Sequence, residues 1–575
     1  MDSNFEVFRP EPAIAAATAV LILGTALVDP ARLRLLLVPA SFLIAAFGAG
    51  SLVGLADGER RLQLNCAPVL TLAVRIGSGI ACLSLIAVGS ALCGLFWIAG
   101  VAGLALLTFG LWELRQVRFP LRPFTRLLPE AAGGLCMGAV WLVAWLWATI
   151  PPTFFDELAY HLVIPQRSLA TGELQTMPWV FFTLMPHASD LLLAWGMATE
   201  GELGARAAHF AFWVACSLGA WGVVEVIAWP RSLSWAGSAV AGALATSPTL
   251  WFLATLPFAE TCLSVAIVTA AALLVGSQGP PRPWLSFGLV LGLGATVKLT
   301  GLMWMIAGLV AAGLAGWLRW DLARAGCVAL GSVAPWWIRA AVHTGNPIYP
   351  MAYGLLGGTP WSVESQARVQ GDVAPDASDL GLEGILRLPI DLVRHPERFG
   401  SAAEPGLLAI LAIGLVLALP ALSRLAHQGA HWRRLSDVAA VFVLMTATGW
   451  VLTSTTTRFF APALVVSLAV LAGAVLRLNR VGLALALGVL LVAAVWGAGR
   501  FVVQHTVVFS SADVALGREA SEDYLARRLD HFAAARFVRE QLPVHARLLF
   551  IGETRPYYFD REAIAPSAYD RHPLH

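Results

Sequence analysis

The chain has 575 residues, 58% hydrophobic and 13% charged, with 38 Lys plus Arg against 36 Asp plus Glu and a mean hydropathy of +0.72. Soluble domains carry about a quarter charged residues, so a soluble fold is excluded, and a net charge of +2 without a basic stripe leaves no electrostatic footprint for nucleic acid. Seven cysteines, at 66, 82, 93, 136, 216, 262 and 327, lie mostly in apolar runs without CxxC spacing, which predicts small core residues rather than disulfides.

At the amino end Asp2, Glu6 and Glu11 outnumber Arg9, so no basic n-region of a cleavable signal peptide is expected. Apolar runs that can each cross a hydrocarbon core of about 30 Å follow at 13–28, 33–55, 67–88, 91–111 and 130–150. Further runs fall at 207–228, 235–254, 258–276, 284–297, 300–317, 322–342, 405–422, 437–452, 460–476 and 481–499, fifteen in all. Short Arg-rich loops stay on the cytoplasmic side. Arg60 with Arg61, the Arg115, Arg118, Arg122 and Arg126 group, Arg231, Arg282, Arg319 with Arg324, Arg424 with Arg433 and Arg434, and Arg477 with Arg480 all fall on one side under this count. Arg32 and Arg34 are the local exception.

The run at 130–150 therefore exits outward, and the adjacent acids Asp156 and Glu157 stand just beyond it. The stretches 158–170 and 188–199 read as interfacial helices; counting 188–199 as a span would put Asp156 and the long polar loop 343–404 on opposite faces. The chain thus divides into N-terminal spans with an Arg-rich loop (1–129), a central module (130–342) with its outer loop 151–206, the outer loop 343–404, C-terminal spans (405–499) and an external segment (500–575). That last segment predicts an amphipathic helix near 520–542 and a strand near 546–552.

Four further charges recur at outer ends of the runs: Glu260, Lys298 (the single lysine), Arg339 and Arg458, with His343, Asn346 and Tyr349 following Arg339. One such cation could snorkel to headgroups, and Glu260 or Asp156 could cap a helix. Ionisable groups near a bilayer are costly, however, and together these suit an anionic lipid headgroup: cations for a phosphate and a carboxylate to accept a proton.

The pattern resembles the GT-C glycosyltransferases, polytopic enzymes that use polyprenyl-phosphate sugars, among them the protein O-mannosyltransferases and the lipid A aminoarabinose transferase. Asp156, Glu157 and Tyr160 match the family's D-E pair and following Tyr in the first outer loop, Pro186–His187 is a reversed match to its His-Pro turn, and Glu260 and Lys298 to Gly301 resemble later motifs. The resemblance covers about 130–499, with two departures: four runs precede the acid loop, and the final segment matches no known acceptor-binding domain.

The resemblance implies an all-α polytopic fold in a bacterial inner membrane, with a periplasmic active site. It implies hexosyl or pentosyl transfer from a polyprenyl-phosphate donor to the hydroxyl of an unidentified glycan, lipid or protein acceptor, with inversion. Asp156 would be the base, with Glu157 beside it. Lys298, Arg339 and Arg458 would bind the donor phosphate. Tyr160, His161, His187, Glu260, His343, Asn346 and Tyr349 would position substrates. No cofactor and no metal ligands are indicated, although some relatives use a divalent ion. Membrane lipids are expected partners. A lipid or polysaccharide flippase, or a non-catalytic envelope-assembly subunit, are the alternative readings.

Overall fold

In a bilayer, a run of about twenty apolar residues satisfies its backbone groups only as a helix. The computed structural model, which describes residues 11–57, 68–116, 128–228, 235–277, 282–372, 377–400, 403–425 and 427–570, is built that way. Among the described residues, eleven helices are long and apolar enough to span a membrane. Shorter apolar helices lie at Ala13–Val28, Ala236–Ala245, Trp284–Val297 and Gly301–Leu314. The protein is an all-α polytopic membrane protein, and each of the fifteen expected runs contains helix. Asp2, Glu6, Arg9, Arg60, Arg61, Cys66, Arg118, Arg122, Arg126 and Arg231 lie outside the described residues.

Three expected runs have a different shape. The run placed at 91–111 begins later, as Trp97–Gln116, because Gly94 turns the chain at positive φ after the preceding helix ends at Leu92. The run at 235–254 is broken into Ala236–Ala245 and Pro248–Thr255. Pro248 has no N–H to continue the ladder, and Ser247 Oγ accepts from Leu250 N instead. The end of the long loop docks into this break, with Thr249 Oγ1 donating to Ala403 O at 2.8 Å. Finally, 188–199 and 207–228 belong to one helical stretch, Ala188–Ala228, of 41 residues. At about 1.5 Å per residue its length is twice the hydrocarbon thickness, and Glu200 and Gly201 kink it where the interfacial segment was expected to end.

Close approach holds the amino-terminal helices together. A Cβ on Gly79 would lie 1.7 Å from Ala46 O, and one on Gly50 would lie 1.8 Å from Arg75 O, so Leu37–Ala56 and Pro68–Leu92 touch backbone to backbone. Gly79→Leu is expected to cost more than the ~1–3 kcal/mol of ordinary overpacking, since the clash is with backbone. The check is Tm in detergent; an unchanged Tm would contradict this contact. Of the two exceptions to the charge pattern, Arg34 is exposed and pairs with Glu200 at 3.3 Å, whereas Arg32 is buried: it donates to Leu146 O at 3.2 Å, Ala515 O at 3.0 Å and Val514 O at 2.5 Å and pairs with Asp29 at 3.0 Å. It is an internal clamp, and so says nothing about sidedness.

The described cysteines are free. Cys216 and Cys262 are buried as expected, whereas Cys93, Cys136 and Cys327 are exposed, Cys136 and Cys327 on outward helix faces and Cys93 just past the end of one, so only part of the set is core. In the final segment the stretch 520–542 holds two helices, Ser521–Arg528 and Phe532–Gln541, where one was expected. Its strand Arg547–Leu549 pairs in parallel with Glu562–Ile564. This segment docks on the acid loop: Tyr558 Oη donates to Pro152 O at 2.9 Å, Ser567 N to Trp179 O at 3.0 Å, and Phe181 N to Asp570 Oδ2 at 2.9 Å.

Candidate active site

The acid loop leaves the helix Leu128–Ala148, passes Pro151–Pro152 and coils into a π-turn, Glu157–His161, continued by Val163–Thr171 and closed at Gly172 with positive φ. The π-turn puts Asp156, Tyr160 and His161 on the wall of a cavity of about 830 Å³, within the size range of small-ligand sites. The other walls come from Phe258–Glu260, Lys298–Thr300, Arg458–Phe459, the turn at Pro350–Gly354 and, from the final segment, Thr554 and Ser567–Tyr569.

Four charged side chains meet at one side of this cavity. Arg458 Nη1 lies 3.0 Å from Asp156 Oδ2, and its Nε lies 3.7 Å from Glu260 Oε1. Lys298 Nζ donates to the same Glu260 oxygen at 2.6 Å. Glu260 sits in the first turn of Ala259–Gly276, where the helix dipole favours an acid. Lys298 ends Trp284–Val297 in extended backbone. The two cations also lie against aromatic faces: Nζ is 3.5 Å from the Phe459 centroid, and the Arg458 guanidinium carbon is 4.7 Å from that of Phe258. Asp156, Lys298 and Arg458 keep 20–24% of their side-chain surface exposed while Glu260 keeps 2%. Glu260 thus holds two cations from behind, and the other three groups face the cavity.

A second cluster lines the same wall. His161 Nδ1 is 2.8 Å from Asp190 Oδ1, and His187 Nδ1 is 3.3 Å from Asp190 Oδ2. His187 Nε2 bonds Phe182 O. Tyr160 stacks on Phe182 with centroids 4.2 Å apart.

The other expected site residues lie elsewhere. Glu157, beside Asp156 in sequence, points the opposite way: it is fully buried, accepts from Phe154 N at 3.0 Å and pairs with Arg206 Nη1 at 2.7 Å. The reason is the turn itself, since neighbouring helical residues do not share a face. Arg206 also donates to Trp147 O, Ala148 O and Thr255 O, fixing the loop to two helix ends. Arg339 is not at this cluster of charges; its donors go to Thr183 O at 2.6 Å, Thr176 Oγ1 at 2.8 Å and Gln175 O at 3.2 Å, which pins the loop wall. His343 reaches only Thr176, at 3.5 Å. Asn346 Nδ2 donates to Met351 O and Gly357 O, which shapes the turn at Pro350–Gly354, and Tyr349 is buried near Trp361 behind that turn. These four build the wall from outside.

Sequence reasoning missed Asp190, Arg206, the aromatic supports Phe258 and Phe459, and the contribution of the final segment. Only Asp190 carried a signal, three residues after His187 at helical spacing. Among the described residues, no group of three or more His, Cys, Asp or Glu has a geometry to hold a metal ion.

The dock of the final segment is sensitive to protonation. Burial pushes the Asp570 carboxyl up to about 6, against hydrogen bonds from Ser567 and from Phe181 N–H. A carboxyl raised in the folded state prefers its proton there, so its contribution is full below an unfolded value of about 3.9 and is lost as pH rises through about 6. Hydrogen exchange over 543–570 is therefore expected to quicken across that window. Asp570→Asn, which keeps an acceptor for Phe181 N–H, should flatten the dependence; an unaltered profile in the variant would count against this account.

No family model matches the chain, and no curated protein matches it. Two solved structures are similar. ArnT from Cupriavidus metallidurans bound to undecaprenyl phosphate is 18% identical over 74% of this chain and 84% of that chain, with a TM-score of 0.46. The same protein in the apo state is 17% identical over 74% and 83%, with a TM-score of 0.45.

Proposed function

We propose that the protein is a membrane glycosyltransferase of the GT-C kind, moving a sugar from a polyprenyl-phosphate donor to an acceptor hydroxyl. The observation that carries this reading is the cavity wall where Asp156 and Arg458 are paired at 3.0 Å beside Lys298, all three partly exposed and backed by Glu260. Lys298 and Arg458 would bind the donor phosphate. The phosphate competes with Asp156 for Arg458, so donor binding itself would free the carboxylate. Asp156 then takes the proton of the acceptor hydroxyl as its oxygen attacks the anomeric carbon. The bond from that carbon to the phosphate oxygen breaks, and polyprenyl phosphate leaves with its charge on the two cations. One displacement inverts the anomeric centre. Under this reading the enzyme sits in an inner membrane with the site facing outward, among membrane lipids. The acceptor meets the cavity at the turn Pro350–Gly354 and the final segment. Glu157, Arg206 and Arg339 hold the walls.

The test is incubation of the purified protein in lipid with radiolabelled polyprenyl-phosphate hexoses and pentoses, with and without envelope extract as acceptor. Donor consumption and labelled product are expected. Absence of both turnover and donor binding in the presence of extract would overturn the reading and favour transport or a scaffold role.

A further inference from the structure

The cation cluster accounts for a phosphate, but the group attached to that phosphate must also be read, and a second set of polar side chains faces the same space. His161 lines the cavity, and its Nδ1 is 2.8 Å from Asp190 Oδ1. An ionised carboxylate only accepts, so the imidazole carries a proton on Nδ1, and the neutral ring then keeps a free lone pair on Nε2. Among the described residues, no side chain or backbone group donates to that Nε2. The His161 ring stands 5.7 Å from the Phe258 centroid, and the Arg458 guanidinium stands 4.7 Å from the same ring. The His161 ring and the Arg458 guanidinium thus both lie against Phe258 on the wall of one cavity, so a group attached to a phosphate at the cations enters the space that His161 lines.

His187 does not compete for this role. Its Nε2–H is used on Phe182 O, and burial lowers its pKa, favouring the neutral ring whose remaining lone pair cannot donate to Asp190. The shorter contact of Asp190 is the one to His161, 2.8 Å against 3.3 Å to His187.

Resting on the glycosyltransferase reading, we propose that His161, locked by Asp190 as the Nδ1–H tautomer, accepts a hydrogen bond from a hydroxyl of the donor sugar. His161 is then the residue that distinguishes a glycosylated lipid phosphate from a bare one. Asp190 is a positioning residue that acts through it.

Two substitutions separate the two ring nitrogens. Glutamine places an amide oxygen where Nε2 stands, and asparagine places its amide where Nδ1 stands. Binding of undecaprenyl phosphate, and of undecaprenyl phosphate carrying a hexose or a pentose, is measured for wild type, His161→Gln, His161→Asn and Asp190→Asn in lipid nanodiscs. His161→Asn and Asp190→Asn are expected to weaken the sugar-bearing lipids at least tenfold, His161→Gln by less than threefold, and bare undecaprenyl phosphate is expected to bind all four proteins alike. Equal loss in His161→Gln and His161→Asn, or equal loss for the bare lipid, would show a structural role and overturn the proposal while leaving the enzyme reading intact. Failure of wild type to bind any of the lipids would overturn both.

Discussion

Asp156→Asn is expected to lower glycosyl transfer by roughly 10²–10⁴-fold, the range a positioned general base contributes. The substitution keeps the size of the side chain and removes only its charge and its capacity for a proton. It also removes the ion pair to Arg458, 3.0 Å away, which leaves that cation to Glu260 and to any incoming phosphate. Donor binding should therefore hold or tighten while kcat collapses, a split that a misfolded variant would not give. The measurement is kcat and donor KM for both proteins in the same lipid. Transfer within tenfold of wild type would remove Asp156 from the role of base, and loss of donor binding together with kcat would make it structural.

The second large effect concerns stability. Arg206→Met would leave Glu157 with no surface exposure and no counter-charge, and would strip a donor from the carbonyls of Trp147, Ala148 and Thr255. Removing one partner of a buried pair costs about 3–5 kcal/mol, because the other charge stays behind. Thermal unfolding in detergent should show this loss, and adding Glu157→Gln should recover a substantial part of it, since the stranded charge is then gone. A single variant as stable as wild type would mean that Glu157 is not held as an anion by Arg206. This pair sits directly behind Asp156, so the same variant tests whether the acid loop keeps its shape without its anchor.

The helical fold was legible because the bilayer allows little else: apolar runs of spanning length must become helices, and every expected run contains one. Boundaries were less so, since a single Gly94 or the Ser247–Pro248 step moves or breaks a helix without altering hydropathy. At the site, sequence order suggested that charges at the outer ends of runs would converge. Asp156, Glu260, Lys298 and Arg458 do come together. Arg339 shares the same kind of position, yet faces three oxygens of the loop wall, which no one-dimensional pattern distinguishes. Glu157 and Asp156 look equivalent as neighbours, and only the direction of the π-turn separates them. Asp190 was passed over as a lone charge at the start of an apolar run and Arg206 as one of several charges in the short stretch with Glu200 and Glu202, and their partners lie 29 and 49 residues earlier.

The docked final segment sets the order in which the molecule can mature. Asp156 is made early, but Thr554 and Ser567–Tyr569, which close the cavity around it, come some four hundred residues later, and Arg32 near the amino end must wait for Val514 and Ala515 before its donors are satisfied. A ribosome that stalls anywhere in the C-terminal spans therefore leaves a chain whose Arg32 lacks two of its carbonyl partners and whose acid loop has an open side. Completion of the cavity is thereby tied to completion of the chain, because its last wall is also its last-made segment.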